Sequence, residues 1–121
     1  ARKVVGILTL KRNQPGLDHA RSLIEAHHYA KDSDWSEAQP KSDDENAKIG
    51  RDGYAGFAEW NLAEDTSENE DTKARYMFPY GDFRRLHRSA LIAIKQRAGE
   101  WHYDDVLAAA DELLEKVPDP D

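Results

Sequence analysis

Apolar positions along the chain change their period several times, and each change marks an element. Residues 3 to 11 mix β-branched and aliphatic side chains in a short run that ends at Asn13, Gln14, Pro15 and Gly16, which predicts a strand and a turn. From Leu17 the interval lengthens to three and four residues, through Ala20, Ile24 and His27 or His28, predicting a helix to about Ala30. Residues 31 to 53 are polar, with Pro40 and two glycines, and read as a long loop anchored by Trp35 and Ile49. Tyr54, Phe57 and Trp60 are three residues apart, which puts them on one side of a short helix. The acidic stretch from Glu64 to Asp71 reads as a solvated loop. The cluster Tyr76 to Gly81 reads as extended, because Pro79 biases Phe78 away from the helical region.

Two amphipathic helices close the chain. Over Phe83 to Ala98 a turn of about 100° per residue gathers Leu86, Ala90, Leu91, Ala93, Ile94 and Ala98 on one side. Over Asp104 to Val117 the same geometry gathers Val106, Ala110, Leu113, Leu114 and Val117, before Pro118 stops the helix. The short connection from Gly99 to Tyr103 makes the two helices antiparallel neighbours. The expected fold is therefore α+β. A strand and helix come first, an irregular aromatic middle follows, and a helix pair ends a single domain over residues 1–117, with 118–121 as a loose tail.

Composition narrows the function classes. The 121 residues carry 24 acids against 17 bases, a formal charge of −7, so nucleic acid and anionic membrane are repelled by the molecule as a whole. There is no Cys, which excludes disulfides, thiolate metal sites and a thiol nucleophile. The apolar runs fall far short of the roughly 20 residues needed to cross a bilayer. The basic, briefly apolar start meets Lys11 and Arg12 without a small-residue cleavage site and reads as structure, not as a secretion signal.

Candidate chemistry is sparse. The histidines His19, His27, His28, His87 and His102 lack the one-turn spacing of a metal pair, and no metal or cofactor is expected. His87 falls on the apolar side of its expected helix and reads first as a buried imidazole hydrogen-bonded to a backbone group or a carboxylate. A small hydrolase-like or ligand-binding site built on His87 or His27 with nearby acids is the alternative, although no Gly-x-Ser-x-Gly elbow is present and no catalytic residue is assigned. Arg84, Arg88 and Lys95 would lie within about 40° of one another on a helix, with Arg85 flanking. That basic face would either be neutralised within the molecule or bind phosphates, and the net charge disfavours nucleic acid. Trp35, Tyr54, Phe57, Trp60 and Tyr80 are candidates for a protein-binding surface, since Trp and Tyr are enriched at interface hot spots.

Several strings are familiar as a set: His19-Ala20-Arg21-Ser22-Leu23-Ile24, Asp34-Trp35-Ser36, Asp44-Glu45-Asn46-Ala47-Lys48-Ile49-Gly50 and Tyr54-Ala55-Gly56-Phe57-Ala58-Glu59-Trp60. They continue in Glu70-Asp71-Thr72-Lys73-Ala74-Arg75-Tyr76-Met77-Phe78-Pro79-Tyr80-Gly81, Leu86-His87-Arg88-Ser89-Ala90-Leu91-Ile92-Ala93 and Gln96-Arg97-Ala98. Across nearly its whole length the chain resembles a module found among tailed-bacteriophage and prophage head genes, sometimes near or within prohead maturation protease proteins. The resemblance implies a setting and no activity, because the protease's Ser and His pair on a mostly β fold has no counterpart here. It implies a non-enzymatic structural or protein-interaction module, cytoplasmic or virion-associated, that packs against itself or another protein.

Overall fold

The computed structural model describes residues 8–120, so the part of the first expected strand at residues 3 to 7 lies outside the described residues. The chain is α+β. Strand β1 (Leu10–Arg12) leads into α1 (Gln14–Glu25), and a two-residue strand β2 (Tyr29–Ala30) follows. The expected helix stops earlier than its spacing suggests because His27 takes a left-handed φ of 60°, turning the chain back into β2. His27 is consequently an exposed turn residue.

The middle of the chain corrects the expectation of a loop. A single-turn helix α2 (Trp35–Ala38) and a long helix α3 (Ser42–Ala58) occupy most of residues 31 to 53. Their signals are capping and charge rather than hydrophobic period. The Asp34 carboxylate accepts the Ser36 N–H at 3.0 Å at the start of α2. The Asp44 carboxylate accepts the Lys41 N–H at 3.0 Å, while Asp43, Asp44 and Glu45 crowd the positive end of α3. Lys48 and Asp52 pair one turn apart at 2.6 Å. Gly53 interrupts α3 with φ 75° and ψ 177°, a region open essentially to glycine alone. Tyr54 and Phe57 lie on the short helical piece beyond it, whereas Trp60 falls in the turn after α3.

Strand β3 (Asn61–Asp65) takes the first two residues of the expected acidic loop into the sheet, where Glu64 pairs with Arg75 at 2.7 Å. After a 3-10 turn, β4 (Tyr76–Pro79) is extended as expected and pairs antiparallel with β3, giving the strand order β1-β3-β4. Phe78 departs from expectation. Pro79 bars it from the helical region, and it adopts φ 62° with its ring edge-on to Tyr103 at 6.0 Å.

Strand β5 (Leu86–His87) pairs in parallel with β2, and α4 (Arg88–Glu100) begins directly after it. The expected helix start at Phe83 is therefore five residues too early. Phe83 has φ 71° in a tight turn, and Leu86 fills the core from a strand. Helix α5 (Asp104–Lys116) matches its expected span and packs against α4. The contact is made by Ala90, Leu91, Ile94 and Ala98 from α4 with Val106, Ala109, Ala110 and Leu113 from α5, where small alanines let the backbones approach. A bidentate pair, Arg21 to Glu112 at 2.7 Å on both arms, ties α1 to α5.

Buried Asn13 and Asn61 lock the junction of α1, α3 and β3. The Asn13 amide donates to the Ala58 and Asn61 carbonyls at 2.9 and 3.0 Å, and the Asn61 amide donates to the Phe57 carbonyl at 3.0 Å. Gly16 fits this junction because a Cβ there would lie 1.9 Å from the Asn61 carbonyl oxygen. No helix among the described residues is long and apolar enough to cross a membrane.

Candidate functional site

The parallel β2–β5 ladder brings the segment after β2 against the turn at 82–85. His87, 2 % exposed, sits between them with both ring nitrogens engaged. Its Nδ1 meets Ser33 Oγ at 2.6 Å and its Nε2 meets Asp82 Oδ2 at 2.9 Å. Burial pushes the Asp82 carboxyl upward, but hydrogen bonds from the Arg85 N–H, His87 and the Arg84 N–H outweigh it and hold the group below the usual carboxylate range. Asp82 is thus an acceptor at neutral pH, and Nε2 donates to it. Nδ1 shares a hydrogen bond with the Ser33 hydroxyl, which lies 3.3 Å from that of Ser89.

The other oxygen of Asp82 accepts the Arg84 and Arg85 backbone N–H groups at 3.0 and 2.8 Å. The Asp82 N–H donates to the Arg85 carbonyl at 3.1 Å, and Gly81 bridges to Leu86. One carboxylate therefore fastens a four-residue turn and the imidazole together. Trp35, placed by the Asp34 cap, lies 5.5 Å from the His87 ring and shields it.

A serine, a histidine and an aspartate in one hydrogen-bonded row invite comparison with a hydrolase. The comparison fails on access. The imidazole is almost wholly enclosed, and neither Ser33 nor His87 lines the two cavities that flank α2. A general base needs its substrate within hydrogen-bond reach. The arrangement instead joins two segments through the buried, hydrogen-bonded imidazole that the sequence suggests at His87, but from a strand end and not from a helix face.

Two cavities flank α2. One, about 230 Å³, is lined by Trp35, Gln39, Phe78, Pro79, Ala93, Ile94 and Arg97, forming an apolar groove between α2, β4 and α4 with one cation at its edge. Arg97 has no ion-pair partner among the described residues. The left-handed backbone of Phe78, which costs about 1–3 kcal/mol in a non-glycine residue, is spent on a ring that forms one wall of this groove. The other cavity, about 320 Å³, lies between α3 and the turn at 82–85 and is lined by Asp44, Arg51, Asp82, Phe83 and Arg84 among others.

The five aromatic candidates separate. Phe57, Trp60 and Tyr80 are 2, 5 and 0 % exposed and are core filling, not surface. Trp60 stacks on Tyr80 at 5.7 Å, and burial drives the Tyr80 phenol far above its ordinary range, with the Glu59 charge adding to it. Trp35 and Tyr54 remain half-buried, and only Trp35 lines the groove. The four basic candidates separate as well. Because α4 starts at Arg88, Arg84 and Arg85 occupy the turn and share no helix face with the others. Arg88 pairs with Asp119 at 2.9 Å and Lys95 with Asp111 at 2.8 Å. Among the described residues no group of three or more His, Asp or Glu is placed to hold a metal ion.

Ser33, Asp82 and Arg97 are the residues that sequence reasoning passes over. Asp82 carried a signal, since an Asp following Pro and Gly commonly caps its own turn. Comparison with protein-family models, curated proteins and solved structures finds no match.

Proposed function

We propose that the chain is a non-enzymatic structural or protein-interaction module, in a phage- or prophage-head-related assembly, that receives a partner protein in the groove between α2, β4 and α4. The observation that carries the reading is the composition of that groove. Trp35, Phe78 and Ile94 offer an apolar seat beside an unpaired arginine, the mixture of aromatic and Arg that concentrates binding energy at protein interfaces. The residue strings set out above support the head-related setting.

Ala93 provides a clean test, because it lines the groove yet is exposed and contributes little to the core. Ala93→Arg should leave the circular dichroism and melting midpoint unchanged while abolishing co-purification with phage- or prophage-head proteins co-expressed with it. Co-purification unaffected by Ala93→Arg would remove the groove from the interface. Turnover of p-nitrophenyl acetate that disappears in Ser33→Ala would overturn the non-enzymatic reading in favour of a hydrolase built on His87.

A further inference from the structure

The structure points to a second contact, which rests on the interaction-module reading: we infer that the turn at 82–85 is a preorganised docking element presenting Arg84 and Arg85 to carboxylates of an acidic protein segment. In a chain of net charge −7, most described cations find an acid within the molecule. Arg21, Arg51, Arg75 and Arg88 each have a carboxylate partner, as do Lys48, Lys73, Lys95 and Lys116. Arg84 and Arg85 are consecutive, exposed, and have no carboxylate partner among the described residues.

Exposed arginines on a loose loop would mean little, but this turn is held from three sides. Asp82 accepts both arginine N–H groups, the His87 imidazole fixes the far oxygen of that carboxylate, and Ser33 fixes the imidazole. Phe83 supplies the third hold. Its φ of 71° sends the ring inward, 5.9 Å from Trp60 and 6.2 Å from Phe57, both core residues. The backbone conformation disfavoured for phenylalanine is thus the one that buries its ring and leaves the next two side chains outside. Ordering the loop on binding is already done, which is where a preorganised contact gains affinity.

Chemistry selects the partner. Guanidinium groups pair with carboxylates or phosphates through two parallel N–H···O bonds. The cavity beside Arg84 also contains Asp44 and Asp82, and the first turn of α3 adds Asp43 and Glu45. Arg51 is the one further cation lining that cavity, so the turn offers no extended basic track to neutralise a run of phosphates, whereas a protein segment can set one or two carboxylates on the arginine pair alone; an acidic protein segment fits and nucleic acid does not. Ser33, His87 and Asp82 touch no partner in this scheme and act as positioning residues.

The experiment titrates the full chain, isotopically labelled, with a short peptide carrying two adjacent glutamates among neutral residues and in parallel with single-stranded DNA at physiological salt. The peptide should shift the Arg84 and Arg85 resonances, and the double substitution Arg84→Gln with Arg85→Gln should weaken its binding about tenfold or more. Lys11→Gln with Arg12→Gln, an equal loss of two exposed charges elsewhere, should leave the affinity unchanged. Ser33→Ala should weaken the peptide less and speed hydrogen exchange at the Arg84 and Arg85 amides, a readout that a role elsewhere in the fold would not move. Equal binding by the Arg84 and Arg85 double variant, equal weakening by the Lys11 and Arg12 double variant, or preference for DNA would each overturn the inference. If Ala93→Arg breaks the native assembly and the arginine variant does not, this inference alone falls; if neither does, the interaction reading falls with it.

Discussion

Asp82 shows how much structure one carboxylate can organise. It receives two backbone N–H groups and an imidazole N–H, and the sum holds its proton affinity below the ordinary range despite burial. A carboxyl with a depressed native pKa contributes stability above its unfolded value, about 3.9, and loses that contribution as pH falls through the native one. Asp82→Asn should therefore cost about 1–3 kcal/mol near neutral pH, by removing the charged acceptor of a buried donor, and progressively less below about pH 4. Urea titrations of both proteins at pH 7 and pH 3 check this, and a difference that stays constant with pH would refute it. At this scale the sequence was half legible. His87 could be read as a buried, hydrogen-bonded imidazole, but its partners Ser33 and Asp82 come from segments that only the β2–β5 ladder brings together. The five aromatic residues read as candidates for a binding surface, but Phe57, Trp60 and Tyr80 fill the core instead.

Helices α4 and α5 were legible because a core-facing stripe repeats for three turns in each, and their mutual packing follows from the short connection between them. Helices α2 and α3 were not, because they bury little. Of the seventeen residues of α3 only Phe57 and Ala58 are fully buried, so hydrophobic period carries no signal there and the decisive information lies in caps and charge pairs. Residues 83 to 87 were misread for the opposite reason. Leu86 and His87 continue the apolar spacing of α4, yet the left-handed Phe83 and the pairing of Leu86 with Tyr29 make them a strand. Gly53 gives a test at the level of the element. Its Cβ would meet nothing within 4 Å, so any penalty on Gly53→Ala arises from backbone conformation alone. The substitution should destabilise by about 1–3 kcal/mol, or straighten α3 into a continuous helix with a rise in ellipticity. No change in either quantity would show that the break at Gly53 is not held.

At the scale of the molecule, one cluster of buried side chains runs from Leu10 and Leu17 through Leu62, Tyr80 and Leu91 to Leu113 and Val117. Elements from both ends and the middle share it, so a cavity made anywhere should be felt throughout. Leu113→Ala, at a position 0 % exposed, should lower stability by about 2–5 kcal/mol. Near-ultraviolet and far-ultraviolet dichroism should follow a single shifted transition, and two separated transitions would divide the core into independent parts. Part of the charge visible in the composition is set in long-range pairs such as Arg21 with Glu112 and Arg75 with Glu64, which no reading of charge along the chain could assign.

The two-residue parallel ladder has a kinetic consequence. It joins Tyr29 and Ala30 to Leu86 and His87, and it gains only when distant parts of the chain have already been gathered. Loosening this seam should therefore raise the unfolding rate more than it lowers the folding rate, which stopped-flow measurement of both limbs checks. The seam that shapes the arginine turn would then also lengthen the native lifetime of the protein.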